Sequence, residues 1–172
     1  KSTLLSSDIF AINTILNIIF TINHPKNINI IFGNELNYKI IDIFFYYQKK
    51  YKNTKINSFC PTYSQSFINF FKNNSNEINI LFIETCSNTN GYIFDFDLIP
   101  QLRKLSKEMY VIVDNTWITS IIFNSFKYDV DFTILSLTNN NNRINCIAGA
   151  IISNHKLMDD IISFIDTTNL HI

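Results

Sequence analysis

Two near-continuous apolar runs, Ile78–Glu84 and Met109–Val113 followed by Asp114, constrain the fold more than any other part of this chain. A strand with one wet face alternates apolar and polar residues. An unbroken apolar run is expected of a strand buried on both faces, the setting of a parallel sheet between two helix layers. Both runs stop at a carboxylate, and the second continues as Asp114–Asn115–Thr116–Trp117. In open α/β sheets the crevice outside the carboxyl ends of the strands is where ligands bind. A carboxylate, an amide, a hydroxyl and an indole delivered to one strand end therefore mark a candidate site.

The remaining pattern supports an alternation of strands and helices. Ile9, Ile12, Leu16, Ile19 and Phe20 recur at helical spacing, with Ser7 or Asp8 available as N-cap. Ile28–Phe32 reads as a strand ending at Gly33, Leu36 to about Tyr51 as a helix with a basic end, and Ile56–Cys60 as a second strand. A shorter helix is predicted over Ser64–Lys72, with a polar loop at Thr85–Gly91. Leu98, Leu102, Leu105 and Met109 predict a further helix, with Asp97 as cap and Pro100 tolerated in the first turn. Phe132–Leu135 and Ile147–Ile152 supply two more strands, and helical spacing returns after His155 through Leu157, Ile161, Phe164 and Ile165. Asn139–Asn142 is the one low-complexity patch and reads as a loop. The expected class is α/β, a mainly parallel sheet flanked by helices.

At 172 residues the chain suits one domain with a real core. Its 14 Lys and Arg balance 14 Asp and Glu, which argues against nucleic acid as a partner, because phosphate-backbone binding relies on a basic excess. Cys60, Cys86 and Cys146 are scattered, with no spacing for a disulfide frame or a zinc site, so a reducing, cytoplasmic setting and no metal are expected. The longest apolar stretch, Ile9–Ile22, is interrupted by Asn13, Thr14 and Asn17, and no membrane partner is expected. A chain opening on Lys1 rather than Met is expected to be a fragment or a processed form. Richness in Asn, Ile, Phe, Tyr and Lys matches an AT-rich coding bias and weakens any reading of a single Asn or Lys.

Three strand ends gather the candidate chemistry: Glu84–Asn88, Asp114–Trp117 and Ser136–Asn139. In a parallel sheet all three open onto one edge. At these residues the sequence resembles the Cys/Met-metabolism enzymes dependent on pyridoxal phosphate, the transsulfuration lyases and synthases. Leu81–Asn88 is similar to the family strand ending in Glu-Ser/Thr-Pro-Ser-Asn, and Val113–Trp117 to its Val-Asp-Asn-Thr-Trp/Phe signature. Asp131–Thr138 resembles the approach to its Ser-x-Thr-Lys motif, Ala148–Ile151 the following strand, and Ser6–Ile9 its Ser-Gly-Met helix start.

The resemblance implies the cofactor-binding large domain of the aspartate-aminotransferase-like class (PLP fold type I). It further implies an incomplete domain over residues 1–172, without the N-terminal arm or C-terminal domain. Pyridoxal phosphate is the implied cofactor and a sulfur amino acid the implied substrate. Asp114 would face the pyridine nitrogen; as a bare strand-end residue it would instead cap the following turn. Asn88 would reach the phenolic oxygen or the substrate carboxylate, or be an incidental loop residue. Ser136 and Thr138 would offer hydroxyls near the phosphate, or be ordinary strand-end polarity. Trp117 is expected to pack rather than react.

Departures from the pattern point the other way. The family lysine position is Asn139, whose carboxamide neither forms an imine nor serves as a base near neutral pH. Arg143 and Lys156 are close in sequence, but neither sits at the strand-end position. Asp8 replaces the glycine at the helix start, where a carboxylate repels phosphate. Asn140–Asn145 replaces a glycine- and histidine-containing loop, one residue short. Leu36 or Asn37 stands at the ring-stacking tyrosine position, with Tyr38 as a candidate substitute. Asp159, Asp160 and Asp166 read as a helix surface. The expectation is a transsulfuration-family protein with impaired chemistry. The alternatives are a non-catalytic subunit pairing with itself or a larger paralogue, and an α/β domain with an unrelated ligand.

Overall fold

The computed structural model describes residues 1–140 and 147–168. One seven-stranded sheet organises it: β1 (Ser2–Leu5), β2 (Ile28–Gly33), β3 (Thr54–Phe59), β4 (Ile78–Glu84), β5 (Glu108–Asp114), β6 (Phe132–Ser136) and β7 (Gly149–Ser153). The order is β1-β7-β6-β5-β4-β2-β3. From β3 to β6 all neighbours are parallel, while β7 runs antiparallel to both β6 and β1. The helices are α1 (Asp8–Asn23), α2 (Tyr38–Lys50), α3 (Ser64–Asn73), α4 (Ile99–Leu105), α5 (Thr119–Ile122), α6 (Leu137–Asn140) and α7 (Met158–Thr168).

Alternating side chains of the central strands feed two cores. Ile78, Ile80 and Phe82 of β4, with Ile112 of β5, join the core made with α1, α2 and α7. Leu81 and Ile83, with Val111 and Val113, join the opposite core under α3 and α4. Burial on both faces is what the unbroken apolar runs require. Each fully buried Ile, Val or Phe there contributes about 1.5–3 kcal/mol of transfer free energy.

Several boundaries differ from expectation for identifiable reasons. β1 escapes the sequence pattern because its four residues pair at a sheet edge and only Leu5 is buried. Ser7 is the cap of α1, its Oγ accepting the Phe10 N–H at 3.1 Å, and Asp8 is the first helical residue. The helix predicted from Leu98 to Met109 ends at Leu105, and Met109 belongs to β5. At that break the Ser106 hydroxyl donates to the Glu108 carbonyl at 3.0 Å and accepts from the buried Asn79 amide at 2.9 Å. Asp95, not Asp97, caps the preceding 3-10 turn, its carboxylate accepting the Asp97 N–H. Asn139 and Asn140 close the short helix α6 rather than opening a loop. The rest of the expected Asn140–Asn145 loop, with Arg143 and Cys146, lies outside the described residues. Asp159 and Asp160 are exposed on α7, as the charge pattern predicts.

Candidate functional site

Register places the site. Glu84 lies opposite Asp114 across β4 and β5, and Asp114 lies opposite Ile134 of β6. Residues two apart on a strand share a face. Glu84 therefore follows Phe82, Asp114 follows Ile112, and Ser136 follows Ile134, all toward the α1 side of the sheet. The three predicted strand ends thus meet at the carboxyl-terminal edge, beneath the start of α1.

Asp114 is half-buried and held by local geometry. One carboxylate oxygen accepts the Thr116 N–H at 2.9 Å. Burial pushes its carboxyl above the ordinary carboxylate range, the Thr116 hydroxyl and N–H draw it back, and the negative charge of Asp8 adds to the rise. Thr116 is the hinge between strands, because its Oγ1 also accepts the buried Ser136 N–H at 2.8 Å. Asn115 turns away, its amide donating to the Phe123 carbonyl at 3.0 Å. The Asp-Asn-Thr segment therefore places a carboxylate at the strand end and clamps β5 to β6.

Glu84, expected only as a strand end, is a strongly perturbed acid. Burial and then the Asp114 charge push its carboxyl up to about 7, with the Asn88 N–H drawing it down and Glu35 adding a smaller rise. Glu35, missed from sequence, sits in the turn after β2 and accepts from the Ser87 hydroxyl at 2.6 Å and from the Asn90 amide. These contacts hold its carboxyl below the ordinary range, the Ser87 bond first. No periodic signal marks a turn residue, so Glu35 was not legible in the sequence. Leu36, Glu35, Glu84 and Ser87 also line a narrow cleft with Phe67 and Phe94, whose cavity volume of about 10 Å³ holds roughly one water.

The other predicted residues fall around this edge. Asn88 is exposed and engages Glu84 through its backbone. Ser136 is buried, whereas Thr138 is exposed and accepts the Ala148 N–H at 3.2 Å. Asn139 follows directly in α6, at the end of β6. Trp117 does not pack as expected; it is 62% exposed. Thr119 adopts a left-handed φ of 66°, strained for a β-branched residue, and beyond it Ile121 and Ile122 are 95% and 80% exposed. Among the described residues no group of His, Cys, Asp and Glu is arranged to hold a metal, and no helix is long and apolar enough to cross a membrane.

Comparison with known proteins places this arrangement. A solved cystathionine gamma-synthase from Xanthomonas oryzae pv. oryzae, in complex with cystathionine, superposes with a TM-score of 0.82 at 18% identity, covering 99% of this chain and 42% of that one. A cystathionine gamma-lyase from Micromonospora echinospora gives 0.81 at 16% identity, covering 99% and 43%. The fold is thus that of the aspartate-aminotransferase-like large domain, and the chain spans less than half the length of these solved proteins. An L-methionine gamma-lyase of Fusobacterium nucleatum subsp. polymorphum is 32% identical over 83 residues, 48% of this chain and 21% of that protein. The family model described as Cys/Met metabolism PLP-dependent enzyme matches residues 2–169. With that match running through every strand of the sheet and the carboxylate ends of β4 and β5, the chain belongs to the Cys/Met metabolism family of pyridoxal-phosphate-dependent enzymes.

Proposed function

We propose that this chain is a partial large domain of transsulfuration ancestry, lyase or synthase, that no longer carries out its family's chemistry. The observation that carries the reading is the residue at the end of β6. The strand reaches Ser136 and turns into α6 with Asn139, where the family pattern has lysine. A carboxamide has no free amine to condense with an aldehyde and no basicity to move an α-proton.

The residues divide in their fit to pyridoxal phosphate. Asp114, half-buried and opposite Glu84, suits a protonated pyridine nitrogen, which gives the bound cofactor its electron-withdrawing capacity. Ser136 and Thr138 stand at the neighbouring strand end as candidate hydroxyl contacts, and Asn88 at the opposite lip. The aldehyde end has no lysine at position 139, and the helix start that should meet the phosphate bears the Asp8 carboxylate. As a set they do not fit the group, and no reaction step is assigned through it.

A second reading has its own support. Trp117, Ile121, Ile122 and Ile147, 62–95% exposed, lie on segments around the site's edge. Exposed apolar residues of this size favour association, with a second copy or a larger active paralogue as a non-catalytic subunit, in a cytoplasmic setting. Sulfur amino acids remain the substrate class of such an assembly. Incubation with cofactor and L-methionine, L-cystathionine or L-cysteine tests the main reading. No 2-oxo acid above the no-protein control is expected; steady release from the purified chain would overturn it.

A further inference from the structure

A helix of 16 residues presents free N–H groups and a partial positive charge at its start, and these normally attract an anion. In α1 two of those donors are engaged by side chains at the helix start itself. The Asp8 carboxylate accepts the Ile9 N–H at 2.8 Å and the Ser7 hydroxyl accepts the Phe10 N–H at 3.1 Å, while the Ala11 N–H makes the first intrahelical bond, to the Ser7 carbonyl at 3.0 Å. The charge that complements the helix is therefore supplied by the chain itself.

Its position is fixed by packing. Gly149 opens β7 directly beneath the helix start, and a Cβ there would overlap the Ser7 carbonyl and the Asp8 nitrogen. No side chain fits between strand and helix, so Asp8 is held against the strand ends. Its negative charge bears on Asp114, and Glu84 and Glu35 lie beyond. Among the described residues, none of these carboxylates forms an ion pair.

We propose that Asp8 acts as an internal anion that seals the start of α1, so that the site rejects phosphate-bearing ligands whatever residue stands at position 139. This rests on the ancestry proposed above but is separable from the loss of lysine. It makes the chain indifferent or averse to the phosphate of pyridoxal phosphate, where helix geometry alone would attract it. Restoring lysine at position 139 without removing Asp8 would leave the cofactor weakly held.

Equilibrium dialysis of pyridoxal phosphate against unphosphorylated pyridoxal, with inorganic phosphate as competitor, isolates the phosphate contribution. The natural chain is expected to bind the phosphorylated form no more than about twofold tighter than pyridoxal, with no competition by phosphate. Asp8→Gly frees the helix donors, and Asp8→Asn removes the charge at nearly constant shape. Both are expected to raise the ratio to about tenfold or more, the size of one favourable helix-terminus interaction. A change in thermal midpoint common to all ligands would report only altered folding and would leave the ratio unmoved. A natural chain preferring the phosphorylated form by tenfold overturns the proposal, as does failure of both variants to change the ratio. Tight, non-covalent pyridoxal phosphate in the natural chain would sink this inference and leave the Asn139 reading standing; a covalent imine would do the reverse.

Discussion

The two edges of the sheet treat charge in opposite ways. At the amino-terminal edge acids are matched. Lys26 meets Glu108 at 3.1 Å, Lys55 meets Glu77 at 3.3 Å, Arg103 meets Asp131 at 2.7 Å, and Lys1 meets Asp159. At the carboxyl-terminal edge Asp8, Glu35, Glu84 and Asp114 face one another and hydroxyl or amide donors, with no ion pair among the described residues. A net charge of zero conceals this separation. The matched edge is built for stability. The unmatched edge retains charges that a fold has no reason to gather, and Glu84 is pushed up to about 7 there, by burial first and by the Asp114 charge second.

The largest expected effect tests the packing that holds the unmatched edge together. Gly149→Ala forces a methyl into the backbone of Ser7 and Asp8, and a loss of about 3 kcal/mol is expected in urea unfolding, at the upper end of overpacking costs. A neutral result would mean that α1 is free to move away from β7, and the sealed helix start would lose its support. Next, Arg103→Ala removes bonds to the Asp131 carboxylate and to the Met109 and Asp129 carbonyls, and a loss of about 2 kcal/mol is expected for this half-buried cluster.

Glu84→Gln should act in the opposite direction. Its carboxyl titrates at 4.5 ordinarily and near 7 in the fold, so between those values the folded protein holds more protons than the unfolded chain. Stability therefore falls as pH rises through that window, and the full cost is present above it. Glu84→Gln is expected to stabilise by roughly 1–2 kcal/mol at pH 8, discounting for solvent access, and by almost nothing at pH 4.5. Equal effects at both pH values would show that the edge is not strained by charge. Lys26→Ala, at an exposed pair, should cost about 0.5 kcal/mol or less, and that little should shrink further in 1 M salt. A larger loss would blur the distinction between the two edges.

Sequence exposed the interior more readily than the rim. β4 and β5 were legible because burial on both faces leaves an uninterrupted apolar record, and the signature ending in Trp117 follows β5 at the carboxyl-terminal edge of the sheet. β1 left little record, since a short edge strand buries only Leu5. Asp114 was recognised from its neighbours in sequence, whereas its coupling to Asp8 spans more than a hundred residues and exists only once α1 lies over the strand ends. Glu35 was hidden for the same reason, in a turn whose partners Ser87 and Asn90 come from another loop. Trp117 misled because an aromatic residue next to a strand end carries no mark of whether another surface covers it; here it is exposed.

The central claim, that the site keeps its pyridine-facing carboxylate but has lost its covalent anchor, is tested most directly by reduction and mapping. The natural chain and Asn139→Lys/Asp8→Gly are each incubated with pyridoxal phosphate, treated with borohydride, and digested for peptide mass spectrometry. The account predicts only scattered, substoichiometric pyridoxyl label on the natural chain, and label concentrated on residue 139 in the double variant. One stoichiometric adduct on a single lysine of the natural chain would contradict it.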